Sequence, residues 1–312
     1  MPIEPLSDVF TPEVLANLQT VRSPTERLRW RLKILHAGGL NPSTVNRELR
    51  AFKAAWEVYL TAAFACGLFD GEHGKELRAR LTGSDDDNFF SAISECFAAW
   101  YLAGRRRLEL RPRPAGRGAR ILEFAIVCDS GDINVEVKAP YRPITAKFWW
   151  GDDSDLLEQA LQQANKQFAK GQRNLLVVHP RLRLPIFEEA CRTPIERAFV
   201  GEDVIRIPLD TRTGGPAGEA YESFHQNGRL LKRWPEPRYT RVSAALFLNE
   251  YEEGGEVKPR ALIIHNPNAE IALPRDMWQE IPEFFWTAIA GAGQTRINPE
   301  TNIAIQSIHA AA

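Results

Sequence analysis

Two short segments in the middle of the chain alternate hydrophobic and polar positions in a way that predicts two β-strands. Residues 121–127 and 134–138 are rich in strand-forming residues, and residues 128–132 between them have the composition of a turn. Successive side chains of a strand point to opposite faces, so Glu136 and Lys138 share one face. The pattern therefore predicts a β-hairpin that carries a carboxylate and an ammonium group side by side.

Helical patterns flank this hairpin on both sides. Residues 89–104 form an apolar helical stretch that contains one acid, Glu95, and Gly104 is expected to end the helix. Residues 155–168 repeat apolar residues at helical spacing, and residues 174–178 are a run of the kind found in buried strands. The predicted order is helix, hairpin, helix, strand.

The rest of the chain divides around this central part. Residues 11–80 read as helices, one of them with the capping signal Ser23-Pro24-Thr25-Glu26, in which Ser23 is the expected N-cap. Strands are predicted after residue 211, at 244–248 and 261–265. We expect three regions, which are a helical N-terminal region at 1–82, a core at 83–210 and a C-terminal α+β extension at 211–312 with strands that join or pack on the core.

Composition is that of a folded protein. The 312 residues are 44% hydrophobic and 25% charged with a formal charge of −1, and four cysteines show no metal-binding spacing. We expect a cytoplasmic protein without a membrane segment, because the N-terminus lacks signal-peptide features and no apolar run reaches the ~18 residues that a membrane helix needs. Phosphate-loop, dinucleotide-binding, zinc-protease and serine-hydrolase motifs are absent from the sequence.

The hairpin and the helix before it carry the residues best suited to bind a metal ion. Glu123 and Glu136, facing each other across it, could hold Mg²⁺, which prefers oxygen ligands and accepts one or two carboxylates. Glu95 lies among apolar neighbours and needs a partner or a metal ion. Two alternatives stay open: Glu136 and Lys138 could form a solvated ion pair, or the turn residues Asp129 and Asp132 could replace Glu123 as the first ligand.

This order of elements resembles the PD-(D/E)XK nuclease superfamily over residues 89–180. The resemblance implies a restriction-endonuclease-like fold, which is an α/β fold with a mixed sheet flanked by helices. It also implies hydrolysis of nucleic-acid phosphodiester bonds, most readily in DNA, with Mg²⁺ or with Mn²⁺ as a substitute. Glu123 and Glu136 would be metal ligands and Lys138 would act on the attacking water, with Glu95 as an auxiliary ligand or a base that orients water. Gln167 or Gln163 would be the glutamine of the crossover helix, which braces Lys138 or the nucleic acid. The sequence departs from the family by having Leu122-Glu123 in place of Pro-Asp.

An arginine-rich segment follows the Glu95 helix. Residues 105–120 contain seven arginines and one acid, and guanidinium groups match phosphate oxygens. We expect nucleic-acid contacts from Arg105, Arg106, Arg107, Arg111, Arg113 and Arg117. Cutting both strands of a duplex would favour a homodimer. The alternative function is a catalytically inactive adaptor with the same fold that binds nucleic acid or a protein.

Overall fold

A computed structural model provides the three-dimensional description of the protein. It describes residues 5–37, 44–112, 122–140, 154–179, 202–206, 210, 212–213, 215, 221–225, 239–266, 268–274, 276–278, 281, 283–291 and 294–301. The arginines Arg113, Arg117 and Arg120 of the arginine-rich segment lie outside these residues.

Helices make up the N-terminal part of the described chain. They are α1 (Pro5–Val9), α2 (Pro12–Gln19), α3 (Glu26–Leu35), α4 (Thr44–Ala65), α5 (Gly71–Thr82) and α6 (Asp86–Ala99), followed by a π-helical turn at Trp100–Arg105. Two sequence predictions are wrong in detail. The N-cap of α3 is Thr25, whose hydroxyl accepts a hydrogen bond from Leu28 N at 3.0 Å, and Ser23 lies outside the helix. Gly104 does not end the helix, because the π turn includes it.

The predicted hairpin, crossover helix and following strand are all present. The strands are β1 (Leu110–Pro112), β2 (Phe124–Ile126), β3 (Ile133–Lys138), β4 (Arg173–Val178), β5 (Glu202–Arg206), β6 (Tyr221–His225), β7 (Ala244–Glu253), β8 (Glu256–His265), β9 (Glu283–Gly291) and β10 (Gln294–Thr301). Helix α7 (Ser154–Gln167) connects β3 to β4, and Gly254 and Gly255 have φ values of +67° and +91° in the turn between β7 and β8. Strand β2 is shorter than the apolar run that predicted it.

Most of these strands form one mixed sheet in the order β1-β2-β3-β4-β7-β8-β9-β10, and β5 and β6 pair separately. β2 and β3 are antiparallel, β3, β4 and β7 are mutually parallel, and β7 and β8 form an antiparallel hairpin. Strands from the C-terminal region therefore continue the sheet that the central hairpin begins.

Alternating residues of the central strands bury the two faces of the sheet in different cores. Val135, Val137 and Val177 belong to a large core with the N-terminal helices, whereas Leu176 and Val178 belong to a smaller core with α7. Because side chains alternate along a strand, Glu136 and Lys138 project from the face that α7 covers. The fold is thus a mixed α/β sheet with helices on both faces.

Candidate functional site

The pairing of β2 with β3 brings Glu123 opposite Glu136. Phe124 pairs with Val135 at the beginning of β2, so the same antiparallel register places the preceding residue, Glu123, across from Glu136. A hydrogen bond of 3.1 Å from Val137 N to Glu123 Oε2 holds the Glu123 side chain over β3. The hairpin geometry predicted from the sequence is present, with the two carboxyl groups as neighbours.

The Glu136 side chain is fully buried, and a basic side chain hydrogen-bonds to only one of its two carboxylate oxygens. Lys138 Nζ donates a hydrogen bond to Glu136 Oε1, and the Lys138 side chain is 21% exposed. Apart from the neighbouring carboxyl group of Glu123, no group of the described residues is placed to donate to Glu136 Oε2, although this oxygen is buried. A buried carboxylate oxygen without a donor is costly, so the site is built to receive a proton or a cation at this position.

The carboxyl group of Glu123 resists ionisation. Burial raises its pKa well above the ordinary carboxyl value, the negative charges of Glu136 and Glu95 and a hydrogen bond with Glu136 raise that pKa further, and Lys138 lowers it. Two carboxyl groups can share a hydrogen bond only when one of them is protonated. Without a bound cation, burial and the neighbouring acids therefore favour the protonated form of Glu123.

Glu95 is paired with a residue that the sequence did not single out. Arg80, on α5, donates from Nη1 to Glu95 Oε1 at 2.5 Å and from Nη2 to Glu95 Oε2 at 2.8 Å. Burial raises the pKa of Glu95 and Arg80 counteracts that shift. Because both oxygens of Glu95 are engaged, this geometry does not support the expected role of Glu95 as a metal ligand. Arg80 had no signal in the sequence, since its partner lies on another helix.

A second buried polar network adjoins β4 on the opposite face of the sheet. His179 Nδ1 lies 2.8 Å from Ser94 Oγ, and Tyr59 donates to Glu250 at 2.7 Å, with the His179 and Glu250 side chains 4.0 Å apart. Ser94 Oγ donates its proton to the Phe90 carbonyl, so the Nδ1 of His179 is the donor in their contact. Ser94 is fully buried and is held as an acceptor, which is unlike a serine nucleophile.

The turn aspartates lie at the wrong end of the hairpin to serve as ligands with Glu136. Ile126 pairs with Ile133, so the turn follows at the end of β2 that is remote from Glu123. Asp132 forms an ion pair there with Arg111. Among the described residues, no three His, Cys, Asp or Glu side chains converge in a way that would hold a metal ion. A site for Mg²⁺ would rest on the two carboxylates Glu123 and Glu136, with water or substrate supplying the other ligands.

The direction of the crossover helix does not support the expected contact of Gln167 with Lys138. Gln167 is the last residue of α7, and the chain then reaches Arg173, which pairs with Ile133 at the start of β3. Lys138 lies at the other end of β3, about 17 Å away at 3.3 Å per residue. A helix between two parallel strands returns the chain to the end of the sheet at which both strands begin. Gln167 therefore lies too far from Lys138 to brace it. Gln163, the alternative, is exposed.

The described arginines of the arginine-rich segment also lie away from Glu136. Arg105 follows Glu95 by ten residues, which is about 15 Å along a helix. Arg106 donates to the Met277 carbonyl at 3.1 Å, and Arg111 pairs with Asp132 at the hairpin turn. Arg107 lies between these anchored positions, so the geometry does not support contacts of Arg105, Arg106, Arg107 or Arg111 with a phosphate group at Glu136.

Comparisons with protein-family models, with curated proteins and with solved structures found no match to this chain. None of the helices that the structure describes is both long and apolar enough to cross a membrane.

Proposed function

We propose that this protein hydrolyses phosphodiester bonds in nucleic acid, most readily DNA, with the help of Mg²⁺ or Mn²⁺. The observation that carries the proposal is the buried Oε2 of Glu136, which has no donor among the described residues apart from the neighbouring carboxyl group of Glu123. An adjacent ammonium group, that of Lys138, completes a set of two carboxylates and one lysine on neighbouring strands.

The residues fit a hard divalent cation. Carboxylate oxygens are the protein ligands that Mg²⁺ prefers, and one or two of them suffice when water and substrate phosphate complete its shell. Glu123 and Glu136 would hold the ion, which polarises a phosphoryl oxygen and lowers the pKa of bound water. Glu123 would give up its proton on binding, because the positive charge removes the repulsion that keeps it protonated.

Lys138 would act on the attacking water. Its side chain is partly exposed and is held by Glu136, so the ammonium group stands between the buried carboxylate and solvent. There it can orient a water molecule towards phosphorus or exchange a proton with it, and its charge stabilises the negative charge that develops on the phosphate. The pair of Arg80 and Glu95 would contribute a fixed charge pair on the neighbouring helices.

The test is a cleavage assay on duplex DNA, single-stranded DNA and RNA with Mg²⁺, Mn²⁺ or EDTA. Glu136→Gln should reduce metal-dependent cleavage by at least about 100-fold. Loss of a residue that only supports a metal ligand costs up to about 100-fold, and loss of a direct ligand should cost at least as much. Lys138→Ala should reduce it about 10²- to 10⁴-fold. Glu72→Gln and Lys75→Ala are matched controls, because Glu72 and Lys75 pair on the exposed surface of α5.

Folding can be separated from catalysis in the Glu136→Gln variant. The amide nitrogen that this substitution introduces would take the place of Oε2 and could donate to Glu123, so the variant should be at least as stable as the wild type in EDTA. Cleavage that persists in a folded Glu136→Gln variant would show that the site is elsewhere.

A catalytically inactive adaptor is the second candidate, and the pairing of Arg80 with Glu95 favours it. A guanidinium group that occupies both oxygens of a buried acid removes one potential ligand from the site. Failure of the wild type to cut any of the three substrates with either metal would select this function.

A further inference from the structure

Two adjoining surface depressions lie where α7 ends and β4 begins. The first, of about 380 Å³, is lined by Lys166, Lys170 and Arg241, and the second, of about 540 Å³, is lined by Arg111 and Arg173. Lys170 borders the first and Gly171 the second, so the two depressions adjoin where β4 begins. We call them together the lysine groove.

The lysine groove carries an excess of positive charge. Its lining contains five cationic side chains and two carboxylates, an excess of three positive charges. Both carboxylates are already engaged. Glu270 accepts from Gly171 N and from Thr240 Oγ1, each at 3.0 Å, and Asp132 pairs with Arg111.

Two of its guanidinium groups are held in place by neutral oxygens. Arg173 Nη1 donates to Ser130 Oγ at 2.9 Å and to the Gly131 carbonyl at 3.1 Å. Arg241 Nη1 donates to the Asn165 carbonyl at 3.3 Å. These contacts fix the position of the two guanidinium groups without neutralising their charge.

The two lysines are the cations best placed to meet a partner. Lys166 and Lys170 are exposed, and no carboxylate of the described residues is within ion-pair distance of either lysine. The hydrogen bond from Gly171 N, and to a smaller extent the charges of Lys170 and Arg241, lower the pKa of Glu270. Lys166 lies in the last turn of α7 and Lys170 lies three residues beyond its end, and both line the first depression.

We propose that the lysine groove binds the sugar-phosphate backbone of nucleic acid, a contact that rests on the proposed function for its substrate class. An extended row of cations fits a polyanion, whereas a small anion needs donors that converge on one point. Gln172 also lines the groove with an amide side chain of the kind that contacts phosphate and sugar, whereas the Asn134 amide already donates to Gln172 Oε1 at 2.7 Å and to Asn174 Oδ1 at 2.9 Å.

Binding of labelled duplex and single-stranded oligonucleotides, measured by fluorescence anisotropy in EDTA between 50 and 200 mM salt, tests the groove. Lys166→Gln with Lys170→Gln should weaken binding and reduce the slope of log K against log salt by about 1.8 for duplex or 1.4 for a single strand. Across this salt range, wild-type affinity should then fall about 12-fold or 7-fold more than that of the variant.

The control variant combines Lys75→Gln with Lys258→Gln. It has the same change in net charge, but its lysines pair with Glu72 and Glu253 elsewhere on the surface. Equal slopes for the two double variants would overturn the proposal, as would a wild type that binds neither DNA nor RNA. Because these measurements exclude metal, they are independent of cleavage. A protein that binds through the groove in EDTA but cuts no substrate in the separate assay with Mg²⁺ or Mn²⁺ would refute the catalytic proposal and leave the groove proposal intact.

Discussion

The buried pair of Arg80 and Glu95 allows a quantitative test that does not depend on function. The Glu95 side chain is 2% exposed and that of Arg80 is 21% exposed, with both Glu95 oxygens bound at 2.5 and 2.8 Å. Arg80→Met removes both hydrogen bonds and leaves a buried carboxylate. Breaking a buried pair from one side costs about 3 to 5 kcal/mol of unfolding free energy.

Chemical denaturation in EDTA measures this cost, and a double variant separates its causes. Arg80→Met combined with Glu95→Leu removes both charges, and such replacements are often neutral or stabilising by about 1 to 4 kcal/mol. The double variant should therefore recover most of the stability that Arg80→Met loses. Lys75→Met, on the same helix, breaks an exposed pair with Glu72 and should leave the stability unchanged within error.

The penalty should also depend on pH. Burial already raises the pKa of Glu95, and loss of Arg80 removes the partner that opposes this shift. The folded variant then binds a proton that the unfolded chain has released, so its stability falls as pH rises from the ordinary carboxyl pKa through that of folded Glu95. Arg80→Met should lose more stability relative to wild type at pH 8 than at pH 5. A penalty as small as that of Lys75→Met, or one that does not change with pH, would refute the reasoning.

Three further predictions concern the carboxylates and the adjoining network. Because the pKa of Glu123 is raised well above normal, folding stability in EDTA should fall as pH rises above about 4.5. Glu123→Gln should flatten that profile in pH-dependent denaturation, and an unchanged slope would contradict the shift. Mg²⁺ or Mn²⁺ at 100 times its Kd should stabilise the wild type by about 2.7 kcal/mol in thermal unfolding but not Glu136→Gln; equal stabilisation would exclude Glu136 as a ligand. Tyr59→Phe removes the hydrogen bond to Glu250 and should cost about 1 kcal/mol in denaturant unfolding, whereas a neutral effect would show that this contact contributes no net stability.

The parts of the fold that could be predicted are those with a local pattern. Alternation at residues 134–138 predicted β3 and the shared face of Glu136 and Lys138, and helical spacing at 155–168 predicted α7. The short connection between β2 and β3 makes these two strands an antiparallel pair, and this pairing brings Glu123 close to Glu136. Backbone periodicity was therefore enough to find the centre of the candidate site.

The parts that could not be predicted depend on contacts between distant segments. Arg80 meets Glu95 across two helices, and His179 meets Ser94 across 85 residues of chain. Neither pairing has a periodic signal. The expected contact of Gln167 with Lys138 lacks support for a different reason, because the residue type was considered without the direction in which a crossover helix returns the chain.

The charges of the site explain why a proton and a divalent cation would compete there. Lys138 and Arg80 offset the charges of Glu136 and Glu95, and ionisation of Glu123 would add a further negative charge beside these acids. Burial first, and then the negative charges of Glu136 and Glu95, raise the pKa of Glu123, whereas a divalent cation beside it would favour the ionised form. If this argument holds, addition of Mg²⁺ at constant pH should release a proton from the wild type and not from Glu123→Gln. Proton release measured in weakly buffered solution would test it, and equal release from both proteins would assign the proton to another group.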